Sequence, residues 1–381
     1  MSIDSLPLDP GARSSNVPLQ PTGVLDKFEH ADLTPVIGRQ FRQVNLAKDL
    51  IDAENSDELL RELAICPTEA SSSFATSKML SVPHISRRYE EDGQASHGQP
   101  NRIIPQLVNA LGVQSGRPAA SSLHIHPTEY RPDPELSPMY VQCFSSLFRL
   151  TPDPLAPFHS CWHTDITFEP IPSNYAVLNM YEIPPNGGDT AYDRLTPAFA
   201  KFLEGLHAEH SGNGFHARAA QFGIPIYEGA QGHPENAGKD LVAIHPVIRT
   251  DPVTGYKGLF VNKAYENLTS NVQNFKASQL INFTCHSFTT KIVELSKDES
   301  DIVLAFLFRI VTDNHDLQTV GERRNDVAIW TNTSTFHNVT VDYEGSTVRK
   351  GNRAVSIGER PFFDPNSKSR REALGLPAWG N

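Results

Sequence analysis

The segment DVAIWTNTSTFHNV, residues 326–339, carries the pattern that decides the fold: a short β-rich run, polar turn residues, and then a second run. Short runs of the same kind, divided by Pro, Gly and Asn, recur from residue 139 onward. They are MYVQCF (139–144), NYAVLNMYEI (174–183), LVAIHPVIRT (241–250), GLFVN (258–262) and RAVSIG (353–358). Many short strands separated by turns predict a mainly β protein with flanking helices, built as a barrel or as a double-stranded β-helix (jelly roll).

Helical patterns are fewer than strand patterns. An apolar stripe with the helical period follows the capping signal of NSDELLRELAI (55–65), and two more helical patterns lie at 196–210 and 298–312. Residues 66–100 are polar, rich in serine and without a clear period, so they predict a long stretch without regular structure.

The domain organisation follows from these patterns. We predict a disordered leader at 1–23, because this segment is rich in Ser, Pro and Gly. A single domain is expected at 24–365, followed by a C-terminal tail at 366–381. The N-terminus has neither the basic segment nor the apolar segment of a secretory signal, and the chain has no run of 18 apolar residues, so no membrane span is expected.

Composition excludes some classes of partner. The 381 residues carry a formal net charge of −11, whereas nonspecific binding to nucleic acid requires a basic surface. The four cysteines include no CxxC pair, which favours reduced thiols and a cytoplasmic location over a disulfide framework or a zinc site. We expect no nucleic acid and no membrane as partners, with a homo-oligomer left open, and the net charge remains compatible with a local basic pocket for a small anionic substrate.

The motif WHTD, residues 162–165, is the first candidate for chemistry. His163 and Asp165 are two residues apart, so on a strand their side chains leave the same face. An imidazole and a carboxylate on one face are two thirds of the 2-His-1-carboxylate triad that binds iron(II) and leaves three positions open. This short motif by itself is a weak signal and, taken alone, favours a surface His–Asp pair.

Later segments supply the missing parts of such a site. His337 lies in the late strand of the opening segment and is the candidate for the third ligand. Arg349 and Arg353 follow at intervals that place them on a strand returning through the same site. A desolvated carboxylate of a bound organic acid needs a cation, and the planar, permanently charged fork of arginine suits it.

Five blocks in order now resemble the taurine/sulfonate (TauD/TfdA-type) dioxygenases, as a fungal-like member. They are WHTDITFEPIPS (162–173), PPNGGDT (184–190), HPVIRTDPVTGYKGLFVN (245–262), DVAIWTNTSTFH (326–337) and NRAVSIGERPF (352–362). The resemblance runs from about residue 25 to 365, except for 66–100. It implies an enzyme that uses Fe(2+), 2-oxoglutarate and O2 within a jelly-roll core.

The resemblance also implies a role for individual residues. His163, Asp165 and His337 would bind the metal and be the catalytic group. Thr190 and Arg349 would hold the distal carboxylate of 2-oxoglutarate.

Four further positions match the part of the family's site that binds the substrate. In LHIHP (123–127), His126 would contact a substrate sulfonate together with Arg353, while Ile166 and Tyr265 would line the pocket. The implied reaction hydroxylates the carbon that bears the sulfonate. The product then collapses to an aldehyde and sulfite, with succinate and CO2 formed from 2-oxoglutarate, as in taurine catabolism.

Alternatives stay open at this point. A related dioxygenase could act on a carboxylate, a sulfate ester or a specialised metabolite, and His159 departs from the asparagine that taurine enzymes can present there. A non-catalytic product of a damaged gene, or a sugar- or metal-binding jelly roll, belongs to another class. The first of these is raised by residues 66–100, which stand where the family has a hydrophobic strand. A shifted reading frame within that segment would restore such a strand, so we hypothesise a frameshift or a wrongly assigned intron there.

Overall fold

The computed structural model describes part of the chain in detail, and all structural statements below concern that part. The described residues are 18–32, 39–66, 80–82, 107, 111, 121–122, 137–142, 162–180, 186–189, 192–213, 216, 226, 228–230, 232–262, 288–312, 327–339 and 348–377.

Strands dominate these residues, as the sequence predicts. The strands are β1 (His30–Asp32), β2 (Arg39–Phe41), β3 (Leu80–Val82), β4 (Ser121–Ser122), β5 (Ser137–Gln142), β6 (Ser173–Met180), β7 (Asn186–Asp189), β8 (His207–Ser211), β9 (Val242–Pro246), β10 (Ile248–Thr250), β11 (Lys257–Leu259), β12 (Thr289–Ile292), β13 (Val327–Thr331), β14 (Phe336–Val339) and β15 (Val348–Ile357).

The helices are few, and most are short. The α-helices are α1 (Ser56–Ile65), α2 (Pro197–Leu203), α3 (Lys297–Thr312) and α4 (Arg370–Ala373); 3-10 turns lie at Val24–Lys27, Tyr192–Arg194 and Pro234–Asn236, and a π-helical turn at Leu46–Ile51. No described helix is long and apolar enough to cross a membrane.

One large sheet forms the frame of the molecule. Its order is β1-β2-β3-β13-β6-β15-β4, with β5 also paired to β15. The β2–β3 pair is parallel and the other pairs are antiparallel. All five residues of β13, VAIWT, are buried, as expected for an apolar strand with a neighbour on each side.

Three smaller sheets complete the β structure of the described residues. They pair β10 with β11, β8 with both β12 and β9, and β14 with β7. The last pair sets His337 opposite Gly188 and so brings the GGD run beside the strand that carries a predicted ligand.

The core has two main apolar clusters. The first packs α1 on the large sheet, with Leu59 and Leu63 against Val177 and Ile329. Within it the Tyr175 hydroxyl donates to the carbonyl of Ala64 at 2.9 Å, which joins β6 to α1. The second cluster joins α2 and α3 to β8, β10, β11, β12 and β14.

The helical patterns are confirmed at 55–65 and 298–312, but the prediction of one helix over 196–210 is wrong. Helix α2 ends at Leu203, and β8 begins at His207. Gly205 lies between them with φ +86°, a conformation that ends a helix and that glycine adopts without steric cost. The strand HAEHS then pairs with β9 and β12, contacts that the local period cannot reveal.

Two predicted end segments contain ordered residues. Thr22 and Gly23, assigned to the leader, donate their backbone N–H groups to the Glu62 carboxylate at 2.6 and 3.0 Å. In the predicted tail, Ser369 and Glu372 form a capping box that starts α4. A carboxylate distant in sequence holds Thr22 and Gly23, and a helix cap holds Ser369 and Glu372; the division into leader, domain and tail stays a prediction.

The irregular stretch predicted at 66–100 is also interrupted. Residues 80–82 form β3, which is hydrogen-bonded to β13 on one side and β2 on the other. Its three residues, Leu80, Ser81 and Val82, alternate apolar and polar as in a strand, but so short a run gives no clear period, and pairing with β2 and β13 decides its conformation.

Candidate metal centre

The three predicted ligands lie together. His163 forms an isolated antiparallel bridge with His337, in which each backbone N–H donates to the other residue's carbonyl, at 2.9 and 2.8 Å. Directly opposite residues of an antiparallel pair send their side chains to the same side. The two imidazole rings accordingly lie 4.3 Å apart between centroids.

Asp165 lies between the two imidazoles. Its Oδ1 lies 3.7 Å from His163 Nε2, and its Oδ2 lies 3.6 Å from His337 Nε2. One ligand atom from each of the three residues lies within 4.8 Å of the other two. Two neutral imidazoles and one carboxylate converging in this way form the donor set that iron(II) takes in oxygen-activating sites, so these residues fit the metal.

The three side chains differ in exposure. Asp165 retains 6% of its side-chain accessibility, His337 14% and His163 31%. The carboxylate is therefore buried while the site stays open on the side of His163. This matches a metal site that must admit a cosubstrate and a substrate.

Arg353 contacts the aspartate directly. Its Nη1 donates to both Oδ1 and Oδ2 of Asp165, each at 3.0 Å. Arg353 lies on β15, so the prediction of a strand that returns through the site is confirmed for this residue. Its role in binding a substrate anion stays a prediction.

Two asparagines that sequence reasoning missed hold the backbone around the ligands. Asn262 hydrogen-bonds to both the N–H and the carbonyl of Thr164, which lies between His163 and Asp165. Asn332 accepts from the N–H of Asp165 at 3.3 Å and donates to Ser173 at 3.0 Å. Both asparagines lie in runs that the sequence analysis quoted, GLFVN and IWTNTSTFH. Nothing in a single sequence, however, marks an asparagine as a residue that holds a neighbouring backbone.

Ile166, predicted to line the substrate pocket, lies in a buried apolar cluster, and its place in that pocket stays a prediction. It retains 1% of its accessibility and packs with Phe168, Leu241 and Phe288. Its φ of +46° is a left-handed conformation that β-branched residues rarely adopt. The turn after Asp165 is thus held in a strained conformation by its apolar packing.

The remaining predicted site residues are Arg349, Thr190, His126 and Tyr265. Arg349 lies on β15 opposite Val141 of β5, four residues before Arg353. Thr190 follows β7 directly and, with His126 and Tyr265, lies outside the described residues.

A second cluster of polar side chains is buried next to Thr167, just after the predicted ligands. His210 and His245 lie 5.3 Å apart between ring centroids, and both pack on Phe260. Burial lowers the pKa of His210 well below its usual value and that of His245 to about 3, so both rings are neutral near neutral pH. Arg249 packs over the same Phe260 ring and forms a fully buried ion pair with Glu359.

Comparison with known proteins agrees with this geometry. The family model "Taurine catabolism dioxygenase TauD, TfdA family" matches residues 122–355. The alpha-ketoglutarate-dependent dioxygenase btcD of Neocamarosporium betae is 35% identical, over 93% of this chain and 98% of its own. An alpha-ketoglutarate-dependent sulfonate dioxygenase of Saccharomyces cerevisiae is 30% identical, over 68% of this chain and 56% of its own.

Solved structures share the fold. A taurine dioxygenase from Burkholderia xenovorans superposes with a TM-score of 0.55 at 18% identity, covering 90% of this chain and 92% of that one.

Proposed function

Since the chain belongs to the TauD, TfdA family and is an alpha-ketoglutarate-dependent dioxygenase that uses iron(II), 2-oxoglutarate and oxygen, we propose that His163, Asp165 and His337 bind the iron. The observation that carries the proposal is the convergence of two imidazoles on one carboxylate, with 3.7 and 3.6 Å separating the nitrogens from its oxygens. We further propose that the paired sheets form the double-stranded β-helix of this family.

The chemistry divides between the metal and the protein. Iron(II) held by these residues would supply the oxidising chemistry, in which one oxygen atom of O2 enters succinate as 2-oxoglutarate loses CO2 and the other converts a substrate C–H to C–OH. The protein contributes position and charge. Thr190 and Arg349 hold the distal carboxylate of 2-oxoglutarate, the arginine by a charge-assisted bidentate contact.

Arg353 and His126 are proposed to bind the anionic group of the substrate. Arg353 is mostly buried, retaining 13% of its side-chain accessibility, and it already neutralises the negative charge of Asp165. A guanidinium carries five N–H donors, so Arg353 could contact a sulfonate or carboxylate oxygen as well as Asp165. Holding the anion beside the metal fixes which C–H bond faces the oxidant.

The first candidate substrate is an alkylsulfonate, which would release sulfite and an aldehyde. Support comes from the sulfonate dioxygenase of Saccharomyces cerevisiae and from a putative one of Schizosaccharomyces pombe. A second candidate, a specialised metabolite, carboxylate or sulfate ester, is favoured by a different observation. The relatives that cover 93–95% of this chain are named as alpha-ketoglutarate-dependent dioxygenases with no sulfonate in the name.

A substrate panel separates these candidates. Succinate and sulfite are measured for taurine and other alkylsulfonates, for matched carboxylates, and for sulfate esters, with protein expressed from verified cDNA. Succinate and sulfite in equal amounts support the sulfonate assignment. Succinate stimulated only by the non-sulfonates supports the second candidate.

The metal assignment has its own test. His337→Gln should abolish substrate-dependent succinate formation and the visible band of the anaerobic iron(II)–2-oxoglutarate complex, because an amide is a poor ligand. His233→Gln, a histidine outside the site, should leave both unchanged. A retained band in His337→Gln would refute the ligand assignment.

Sequencing of the transcript across residues 66–100 tests the frameshift hypothesis.

A further inference from the structure

We propose that Asn262 is a positioning residue of the metal site, whose side chain takes the place of a neighbouring β-strand against the peptide groups of Thr164. The proposal rests on the assignment of His163 and Asp165 as ligands. It adds a residue that touches neither the metal nor the substrate. This residue acts through the backbone of residues 163–165, the ligand segment.

The ligand segment has a strand partner on one side. The backbone of His163 exchanges two hydrogen bonds with that of His337, at 2.9 and 2.8 Å. In an extended segment the next residue directs its N–H and carbonyl to the opposite side. Thr164 is 3% exposed, so those two groups need partners within the protein.

Asn262 supplies both partners from one carboxamide. Its Oδ1 accepts from the N–H of Thr164 at 2.8 Å, and its Nδ2 donates to the Thr164 carbonyl at 2.9 Å. This is the donor–acceptor pattern of a strand backbone. The peptides between His163 and Asp165 are therefore held from both sides.

The carboxamide is itself fixed in orientation. The second hydrogen of Nδ2 is donated to Thr167 Oγ1 at 2.8 Å, and the backbone N–H of Asn262 is donated to Thr289 Oγ1 at 2.8 Å. Thr167 Oγ1 in turn lies 2.8 Å from Nδ1 of the buried His210. Only the amide nitrogen can serve two acceptors, so a flipped side chain would lose two of these bonds.

The ligand geometry needs such a clamp because the turn that follows is strained. Ile166 stands at φ +46°, directly after Asp165. A left-handed β-branched residue persists only where its surroundings hold it. Without Asn262, the buried N–H and carbonyl of Thr164 would lose their partners. Movement of residues 163–165 would then be the easiest way to recover hydrogen bonds, and it would pull the Asp165 carboxylate away from His337.

The chain contains a matched control. Asn236 makes the same clamp on Ile171, accepting from its N–H at 3.0 Å and donating to its carbonyl at 2.8 Å. Asn236 is buried like Asn262, at 6% and 1% exposure. Its clamp holds a peptide beyond the ligand segment. Removal of either asparagine should cost stability, but only that of Asn262 should change the metal site.

The experiment compares Asn262→Ala with Asn236→Ala in the full-length, metal-free protein. Co(II) and anaerobic iron(II) are titrated, and the visible band of the iron(II)–2-oxoglutarate complex is recorded. Substituting a residue that orients ligands without binding the metal typically weakens metal binding by about 10–100-fold. We expect a loss in that range for Asn262→Ala and a change below about twofold for Asn236→Ala.

A second variant covers the case in which Asn262→Ala does not fold. Asn262→Asp keeps the shape and the acceptor for the Thr164 N–H but sets an oxygen against the Thr164 carbonyl, so it should also weaken Co(II) binding. Parental affinity in either folded Asn262 variant, or an equal loss in Asn236→Ala, overturns the proposal. Parental affinity in Asp165→Ala would instead overturn the ligand assignment, so the two failures are distinguishable.

Discussion

At the scale of single residues, Asp165 is shared between two kinds of partner. The Arg353 guanidinium holds both of its oxygens, each at 3.0 Å. A divalent cation bound to the same carboxylate would lie close to that guanidinium. The charge of Arg353 therefore opposes metal binding, while its hydrogen bonds orient the carboxylate that binds the metal.

The repulsion between Arg353 and the metal can be compared with the benefit of orienting the Asp165 carboxylate. A double and a single positive charge about 5 Å apart repel by about 7 kcal/mol at an effective dielectric constant of about 20. A hydrogen bond to a charged group contributes about 1.5–3 kcal/mol. We therefore predict that Arg353→Gln binds Co(II) at least about tenfold more tightly in the absence of 2-oxoglutarate, as measured by titration.

The control for this charge effect is Arg42→Gln, which removes an exposed arginine paired with Glu29. It should leave Co(II) affinity unchanged. Weaker Co(II) binding in Arg353→Gln would mean that orientation of Asp165 outweighs repulsion. Since Arg353 is also proposed to hold the substrate anion, the same variant should raise the KM of the organic substrate.

Ile166 allows backbone strain to be separated from side-chain packing. Ile166→Ala and Ile166→Gly both remove the side chain from the cluster with Phe168 and Phe288. Only glycine also removes the cost of φ +46°, which is about 1–2 kcal/mol for other residues. Glycine loses part of this gain through its greater freedom in the unfolded chain. We predict that Ile166→Gly unfolds in urea with a free energy about 1 kcal/mol higher than Ile166→Ala; the opposite order would show that this turn is not strained.

At the scale of secondary-structure elements, the end of β8 lies unusually close to the chain before β9. A Cβ on Gly212 would stand 2.8 Å from Leu241 Cβ and 3.1 Å from Phe168 Cγ. Neither atom is at the free end of a flexible side chain, so the strands themselves would have to separate.

Gly212→Ala should therefore lower the free energy of unfolding by about 1–3 kcal/mol, the usual cost of overpacking. Chemical denaturation measures it. Gly258→Ala is the control, because a Cβ at Gly258 meets nothing closer than 3.8 Å. That substitution should be neutral or slightly stabilising, since alanine has less freedom to lose on folding. Equal effects at both glycines would contradict the close approach.

At the scale of the whole molecule, buried titratable groups link stability to pH. Burial lowers the pKa of His245 to about 3, and the positive charge of Arg249 adds to this effect. In the unfolded chain the imidazole has a pKa of about 6.5. Between these values the unfolded state binds a proton that the folded state does not. The stabilisation from a neutral His245 is therefore complete above about pH 6.5 and is lost progressively as the pH falls toward 3.

Other buried groups act in the opposite direction. Burial raises the pKa of Glu169, so its contribution weakens as pH rises. For this reason the prediction concerns a difference between two proteins. The unfolding free energy of the parent minus that of His245→Gln should be constant above about pH 7.5. It should fall by up to about 1.4 kcal/mol per pH unit between about pH 6 and 4, as measured by urea denaturation. A constant difference over the whole range would show that His245 is not buried in its neutral form.

Much of the fold and part of the site could be predicted from the sequence alone. Short apolar runs between turn residues predicted the strands, because a strand's period and its flanking turns are local properties of the chain. His163 and Asp165 could be paired because a spacing of two directs side chains of an extended segment to one side, although in the structure only His163 makes a β-bridge and Asp165 begins a turn. Helix α3 was predicted within one residue, since a long amphipathic period leaves little choice.

Tertiary structure alone decided the rest. The hydrogen bonds that bring His337 opposite His163 join residues 174 positions apart, and those of Asn262 and Arg353 span 98 and 188 positions. The strand at residues 80–82 and the contacts of Thr22 and Gly23 with Glu62 likewise depend on partners distant in sequence. A hydrogen bond or ion pair depends on distances of about 3 Å, and such distances between remote residues exist only once the strands have paired. Sequence therefore determined which groups could do chemistry, and packing determined which of them meet.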